Sequence, residues 1–427
     1  MSRFLVGTIP VIGYVSPMVP IVRELTQRGH EVWWYTGRLF QANVEASGAH
    51  FVEMTEALDF SIEEKIPPEW GEQRQALKGL AQLRFDLKHF FIDHAVAQVR
   101  DYRTILSDFS ADVLLSDSYF LGAAWMHELG GPPWAQLGTS VMTFPGQDIP
   151  PFGLGLPPSE SGSNRLRDKA LKAVTDVVLR GIRKDLKGAR EQLGLADNKQ
   201  LFFDTLSPYL YLVTTVPSFE YPRSDLPSQV HFIGPPFLDP VETFATPAWW
   251  NDLQTDNTVV YVTQDAIATD PNNLIIPTLN ALKDQDILVV AATDNNSVDG
   301  LAAADLPANA RIEQSLPPSQ LLPHVDIVIT NGEYRIVQTA LSYGIPLIAA
   351  GQSEDKPEVC ARIAWSGVGL NLNTTTPKPK QIRQAVEEMV ENDQYKLRAQ
   401  QLQAEIKQYP SAELAANYLE SLTESGS

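Results

Sequence analysis

Short apolar runs alternate with amphipathic stretches along most of the chain. Phe4 to Gly7 is the first run, and Met18, Ile21, Val22 and Leu25 follow at helical spacing before Gly29 stops the pattern. Glu31 to Tyr35 is rich in strand formers. The run returns at Asp112 to Leu115, where ADVLLSD reads as a buried strand ending in polar residues. Repetition of this kind predicts a parallel sheet covered by crossover helices. The rhythm fails twice. Pro150 to Asn164 is rich in Pro, Gly and Ser, which predicts a mobile loop near a cleft or a disordered insertion, and from Gly234 to Trp250 prolines recur while neither period persists. The alternation then restarts, with strands expected at Val259 to Thr263, Ile287 to Ala291, Ile327 to Ile329 and Leu347 to Ala350. Past Lys380, Ile382, Val386, Met389 and Val390 form a helical stripe. The expected organisation is α/β, with parallel-sheet units over 1–234 and 251–405 joined by a linker over 235–250.

Composition agrees with two units, because 427 residues exceed what one core usually serves. A formal net charge of −19 repels polyanions over most of the surface, so nucleic acid and anionic membranes are not expected partners. Cys360 is the one cysteine, which excludes an intrachain disulfide and a thiolate metal site and makes the cytoplasm the expected compartment. The apolar N-terminus is broken by Gly7, Pro10, Gly13 and Pro17 and reads as a first strand and its loop. No uninterrupted apolar stretch reaches the ~18 residues of a membrane span.

Ligands of open parallel sheets bind beyond the carboxyl ends of the strands, which directs attention to Thr8 to Pro17, Ser116 to Phe120, Thr263 to Asp270, Thr330 to Arg335 and Gly351 to Lys356. Dinucleotide, P-loop, nucleophile-elbow and zinc-helix motifs are absent. The most informative stretch is Ser315 to Leu370. It contains LLPH with His324, the T-x-G turn at Thr330 to Gly332, the GIP of Gly344 to Pro346, and Asp355-Lys356 where Asp-Gln is common. Together with the opening GTIPVIGYVSPMVPIV, the DVLLSD strand and Thr263-Gln264, this order and spacing resembles family-1 glycosyltransferases.

The resemblance implies the GT-B fold, two Rossmann-like domains facing across a cleft, with 406–427 returning as a helix to the N-terminal domain. It implies metal-free inverting transfer from a UDP- or TDP-sugar co-substrate, bound by the C-terminal domain, to a small hydrophobic acceptor. Donor contacts then fall to Gln264, Asp265, His324, Asn331, Gly332, Arg335, Gln338, Asp355 and Lys356. Relatives use a His in a G-H-x-x-P loop as base, supported by an Asp after a later strand, and hold the diphosphate on amides at a helix start.

The carry-over is uneven. Asp117 stands where the supporting Asp is expected, but the His position is Tyr14, whose phenol, with an ordinary pKa of about 10, is a poor base at neutral pH. The Gly-rich turn after Asn331 is Glu333-Tyr334-Arg335, placing a carboxylate where an anion is favoured, and Asp265-Ala266 replaces Gly-Thr. Thr339 replaces the ribose-binding Glu. Tyr14 reads as a pocket wall or a proton-transfer group, Glu333 as a helix cap or an acid, Asp117 as a cap or a supporting acid, and His324 as a structural or a donor-binding residue. Asp86, His89 and Asp93 fall on one helix face, so His89 is either an ordinary polar residue or a substitute base oriented by Asp93. Three functions are compatible with these residues: hexose transfer to a natural product, another reaction on a small metabolite in a repurposed cleft, and a non-catalytic homologue that binds a metabolite or a partner enzyme. A homo-oligomer is equally compatible.

Overall fold

The computed structural model describes residues 1–158, 162–198, 200–237, 244–254, 256–264, 270–293 and 306–424. Seven strands form the first sheet: β1 (Arg3–Gly7), β2 (Glu31–Thr36), β3 (His50–Glu53), β4 (Val113–Asp117), β5 (Trp134–Gly138), β6 (Leu210–Val213) and β7 (Val230–Phe232). They lie in the order β3-β2-β1-β4-β5-β6-β7, all parallel. The second sheet contains β8 (Thr258–Thr263), β9 (Ile287–Ala292), β10 (Ala310–Glu313), β11 (Ile327–Thr330), β12 (Leu347–Ala349) and β13 (Gly369–Asn371), in the order β10-β9-β8-β11-β12-β13 and again parallel.

Alternating side chains bury both faces of each sheet. Phe4 and Val6 of β1 pack with Ile21, Val22 and Leu25 of the helix Met18–Gln27, whereas Leu5 packs with Val99 and Tyr102 of the helix Asp93–Asp108. In β8, Val260 and Val262 meet Leu279 and Val386, while Tyr261 meets Val337 and Leu341. Each such side chain stabilises the fold by roughly 1.5–3 kcal/mol relative to exposure. The last residue of β1 is a glycine where no side chain fits, since a Cβ on Gly7 would lie 2.0 Å from the Tyr102 hydroxyl.

The helix Ser411–Glu424 lies on the first sheet's side, where Ala415, Ala416 and Leu419 join the core around Met18 and Val22. Arg28 donates to Asn417 at 2.7 Å and to Glu420 at 2.8 Å, and His30 meets Glu420 at 2.7 Å. One expectation shifts. Val390 leaves the apolar stripe and is 49% exposed, because it stands one residue, a 100° turn, beyond the buried Met389. Of the segment 150–164, residues 150–158 form an irregular loop that brings Phe152 to the cleft and whose Gly153 and Gly155 amides both donate to Glu358 at 2.9 Å, 159–161 lie outside the described residues, and 162–164 open the helix Gly162–Val178.

The two halves share a core, since Val141, Val216 and Phe219 pack with Val337, Val359 and Ile363. Arg362, buried on the helix Lys356–Trp365, donates to Glu220 at 2.8 Å and to Glu358 at 3.1 Å and stacks 4.1 Å from the Tyr221 ring. Glu220 in turn accepts from the Met142 amide at 2.9 Å, so one buried cation ties strand-end segments of the N-terminal half to the C-terminal half.

Candidate active site

A cleft of about 1020 Å³ opens between the carboxyl ends of the two sheets. Its N-terminal wall is mainly apolar, built from Phe60, Leu83, Leu87, Phe90, Phe91 and Tyr119. One ion pair interrupts it: Arg74 of the helix Pro68–Ala76 grips Asp86 of the helix Leu80–Leu87 with two bonds, 2.8 and 3.0 Å. Such bidentate geometry fixes both side chains.

β1 and β4 are adjacent where the strand order reverses, and their loops meet through Asp117. Its two carboxylate oxygens accept from the Ile9 amide at 2.7 Å and the Tyr119 amide at 2.8 Å. Burial pushes its pKa up to about 7 despite those donors. Asp117 thus staples the loop that carries Tyr14 and does not itself line the cleft. Tyr14 does, with its ring 5.5 Å from that of Tyr119. Burial first, then the charges of Asp117, Asp355 and Glu354, hold its phenol well above the ordinary value. That direction opposes a base role for Tyr14 and favours a neutral wall that donates a hydrogen bond.

On the opposite side, Glu333 caps the helix Tyr334–Ser342 and accepts from the amides of Arg335 at 2.9 Å and Ile336 at 3.0 Å, with the Arg335 guanidinium 3.7 Å away. The first-turn amides that would attract an anion are therefore taken by the chain's own carboxylate. Gln338 is buried on the same helix. Its Oε1 accepts from Thr215 of the N-terminal half at 2.9 Å, and its Nε2 has no partner. Thr339 donates back to the Arg335 carbonyl at 2.6 Å. Past β12, the Ser140 hydroxyl donates to Asp355, joining the halves, and Lys356 pairs with Glu354, whose φ of 56° is left-handed.

Tyr14, Glu333, Arg335, Gln338, Asp355 and Lys356 therefore line one cleft. Asn331 and Gly332 lie beneath it. Asn331 is buried with Oδ1 unpartnered, and Gly332, at φ 90°, lies so close to the next helix that a Cβ would be 2.7 Å from Cys360 Sγ. Gln264 is buried at the end of β8, bonding the Asp270 carbonyl at 3.1 Å and the Ile275 amide at 3.2 Å. Asp265 lies outside the described residues. His324 is exposed on the turn Leu322–His324, 6.1 Å from the Trp250 ring, and does not line the cleft.

His89 does not reach the cleft either. A π turn over Lys88–Ile92 widens the helix, and of the expected face His89 and Asp93 remain neighbours. Its ring sits 4.4 Å from Phe85 and 4.8 Å from Trp70, its Nδ1 is 3.5 Å from Asp93, and burial followed by the Lys88 charge lowers its pKa. Asp86 turns to Arg74 instead. Sequence reasoning missed Arg74, Ser140 and Glu354, each of which is recognisable only through a partner distant in the chain or across a turn.

Residues 277–422 match the C-terminal domain of erythromycin biosynthesis protein CIII-like. The chain is 42% identical over 411 residues to 4'-demethylrebeccamycin synthase of Lentzea aerocolonigenes, covering 95% of each protein. It is 32% identical over 437 residues to UDP-glycosyltransferase 2 of Phaeomoniella chlamydospora, covering 98% of this chain and 95% of the other. The fold matches the glycotransferase of kitacinnamycin, with a TM-score of 0.77 and 20% identity across 99% of both chains. It also matches the calicheamicin glycosyltransferase, with a TM-score of 0.73 and 20% identity across 99% of this chain and 98% of that one. Among the described residues no helix is long and apolar enough to cross a membrane. Ancestry over nearly the whole length and two facing parallel sheets lead to one conclusion: the chain belongs to the family-1, macrolide-type glycosyltransferases of GT-B fold.

Proposed function

We propose that the protein transfers a hexose from a UDP- or TDP-sugar to a small apolar natural product. The observation that carries this reading is the asymmetry of the cleft, an apolar aromatic wall facing a polar floor at the start of a helix. The apolar half suits the acceptor. In the polar half the diphosphate takes the place of the Glu333 carboxylate on the Arg335 and Ile336 amides, beside the Arg335 guanidinium. Gln338, with an unpartnered Nε2, and the loop bearing Asp355 and Lys356 border the same space and hold the nucleoside and sugar. Asn331 and Gly332 support the helix start from below, while Gln264 braces the end of β8. Asp117 acts by fixing the Tyr14 loop.

Relatives that span nearly the whole chain, named as a rebeccamycin-type synthase and a UDP-glycosyltransferase, favour transfer over a repurposed or non-catalytic role. A cytoplasmic, reducing setting belongs to the same reading and is supported by the lone buried thiol Cys360. The test is a mass-resolved transfer assay with UDP- and TDP-hexoses against a panel of apolar hydroxyl- and N–H-bearing aromatics. A donor-dependent hexose adduct is expected. Its absence across the panel, with no donor binding at millimolar concentration, contradicts the proposal.

A further inference from the structure

The apolar wall holds one group that an apolar ligand leaves unsatisfied. Arg74 and Asp86 line the cleft among Phe60, Leu83, Leu87, Phe90 and Phe91. Trp70, one helical turn before Arg74, packs on Phe85 and Phe90 with ring centres 6.3 and 5.4 Å apart, which seats the helix Pro68–Ala76 against the helix Leu80–Leu87. The guanidinium is thus held by its backbone as well as by Asp86. Its Nε and Nη2 donate to the two carboxylate oxygens at 2.8 and 3.0 Å, and its Nη1 has no partner among the described residues. Of the five N–H donors a guanidinium carries, those on the edge away from Asp86 therefore remain unused, in a flat and fixed fork. An aromatic ligand lying on this wall takes water from that edge. The unmet donors then disfavour the ligand unless it brings an oxygen acceptor of its own.

The surrounding charges decide which kind of oxygen fits. Among the described residues the cleft is lined by four carboxylates, Asp86, Glu333, Glu354 and Asp355, and by three cations, Arg74, Arg335 and Lys356. Glu354 on the facing loop is near enough for its charge to act on Arg74, after the stronger effect of Asp86. A ligand carboxylate would enlarge the negative excess, and a diphosphate in the same cleft would oppose it further. A neutral carbonyl accepts two N–H donors on its two lone pairs and adds no charge. We infer that the Arg74–Asp86 pair selects the acceptor, with the free edge of Arg74 taking a neutral carbonyl oxygen built into the acceptor's aromatic body. Asp86 is a positioning residue that holds the guanidinium flat in the wall. The inference deepens the transfer function proposed above and rests on it for the identity of the ligand as the acceptor.

The test is calorimetric binding, without donor, of a hydroxyfluorenone and of the hydroxyfluorene that lacks its ketone. The proteins are the full-length wild type, R74L/D86L and R74K, with folding checked by thermal unfolding. R74L/D86L removes both charges together and leaves neither stranded. The ratio of the two dissociation constants should favour the ketone in the wild type by about tenfold more than in R74L/D86L, a comparison in which the ligands' own hydrophobicity cancels. Part of that change should come from tighter binding of the hydroxyfluorene. R74K keeps the cation without the planar fork, so its ratio should fall between the other two. A ratio that stays within about twofold of wild type in R74L/D86L overturns the inference, because a pair with a merely structural role moves both ligands alike. If the double variant does not fold, a wild-type ratio in R74K overturns it. A rise in donor KM with the ketone preference unchanged assigns Arg74 to the sugar nucleotide and also overturns it. A ketone preference that follows the variants as expected, in a protein that forms no glycoside from any UDP- or TDP-hexose, overturns the transfer function and leaves the carbonyl selection standing.

Discussion

The two halves of the cleft satisfy their polar groups in opposite ways. On the N-terminal side there is little to satisfy. Phe60, Phe90 and Phe91 present apolar surface, and the one ion pair in the wall, Arg74 with Asp86, closes on itself. On the C-terminal side charged and polar groups crowd the floor and bind each other: Glu333 its own helix start, Lys356 its neighbour Glu354, Asp355 the facing Ser140. On the proposed reading the acceptor half is therefore preformed, and an apolar ligand enters without displacing a hydrogen bond. On the same reading, binding in the donor half exchanges internal contacts for ligand contacts and gains only the difference.

That comparison depends on the halves being held together, and the largest effect is expected where they are joined. Arg362→Met leaves Glu220 and Glu358 buried without a counter-ion and should destabilise the protein by about 3–5 kcal/mol in urea unfolding. A loss below about 1 kcal/mol would mean that the shared apolar core around Val337 and Val359 alone holds the halves.

Next in size is Asp117→Asn. An amide cannot accept from both the Ile9 and Tyr119 amides, so one buried donor is stranded and stability should fall by about 1–3 kcal/mol. The effect has a sign in pH. The folded carboxyl is raised to about 7 from an ordinary 3.8, so the wild type loses stability as pH rises through that window. The uncharged variant lacks this term, and the gap between the two proteins should narrow toward the upper end. A gap that widens instead would show that the charged form is the one the site favours.

Phe91→Ala probes the apolar wall and should raise acceptor KM about tenfold while donor affinity stays the same. An equal loss of donor affinity would break the division into halves. Glu333→Ser tests the polar floor with a smaller change. Serine still caps the helix but removes the anion, so calorimetric UDP affinity should rise several-fold. A weaker affinity would make Glu333 a ligand contact instead of a competitor.

The frame was readable because local pattern and long-range order agree there. Phe4 to Gly7 and Ile327 to Ile329 are apolar runs buried on both faces, and the strands begin or end within two residues of the expected places. β7 and β13, three residues each, are only partly buried and carry polar residues, so they stand out less than β12, which is as short but apolar and buried throughout. The site was less readable because its bonds cross the chain. Ser140 and Asp355 are 215 positions apart and Glu220 and Arg362 are 142, distances over which periodicity says nothing. The spacing of Asp86, His89 and Asp93 suggested one helix face, yet the π turn at Lys88–Ile92 sends His89 into an aromatic cluster and leaves Asp86 to Arg74. Tyr14, Glu333 and Asp355 were identifiable from resemblance alone, but which atoms were already occupied became visible only in three dimensions.

A crystal structure of the protein with UDP bound tests the central contrast most directly. The predicted result is a diphosphate on the Arg335 and Ile336 amides with the Glu333 carboxylate swung away, while Phe60, Phe90 and Phe91 keep their positions. UDP bound with Glu333 still capping its helix and the aromatic wall rearranged would contradict the account.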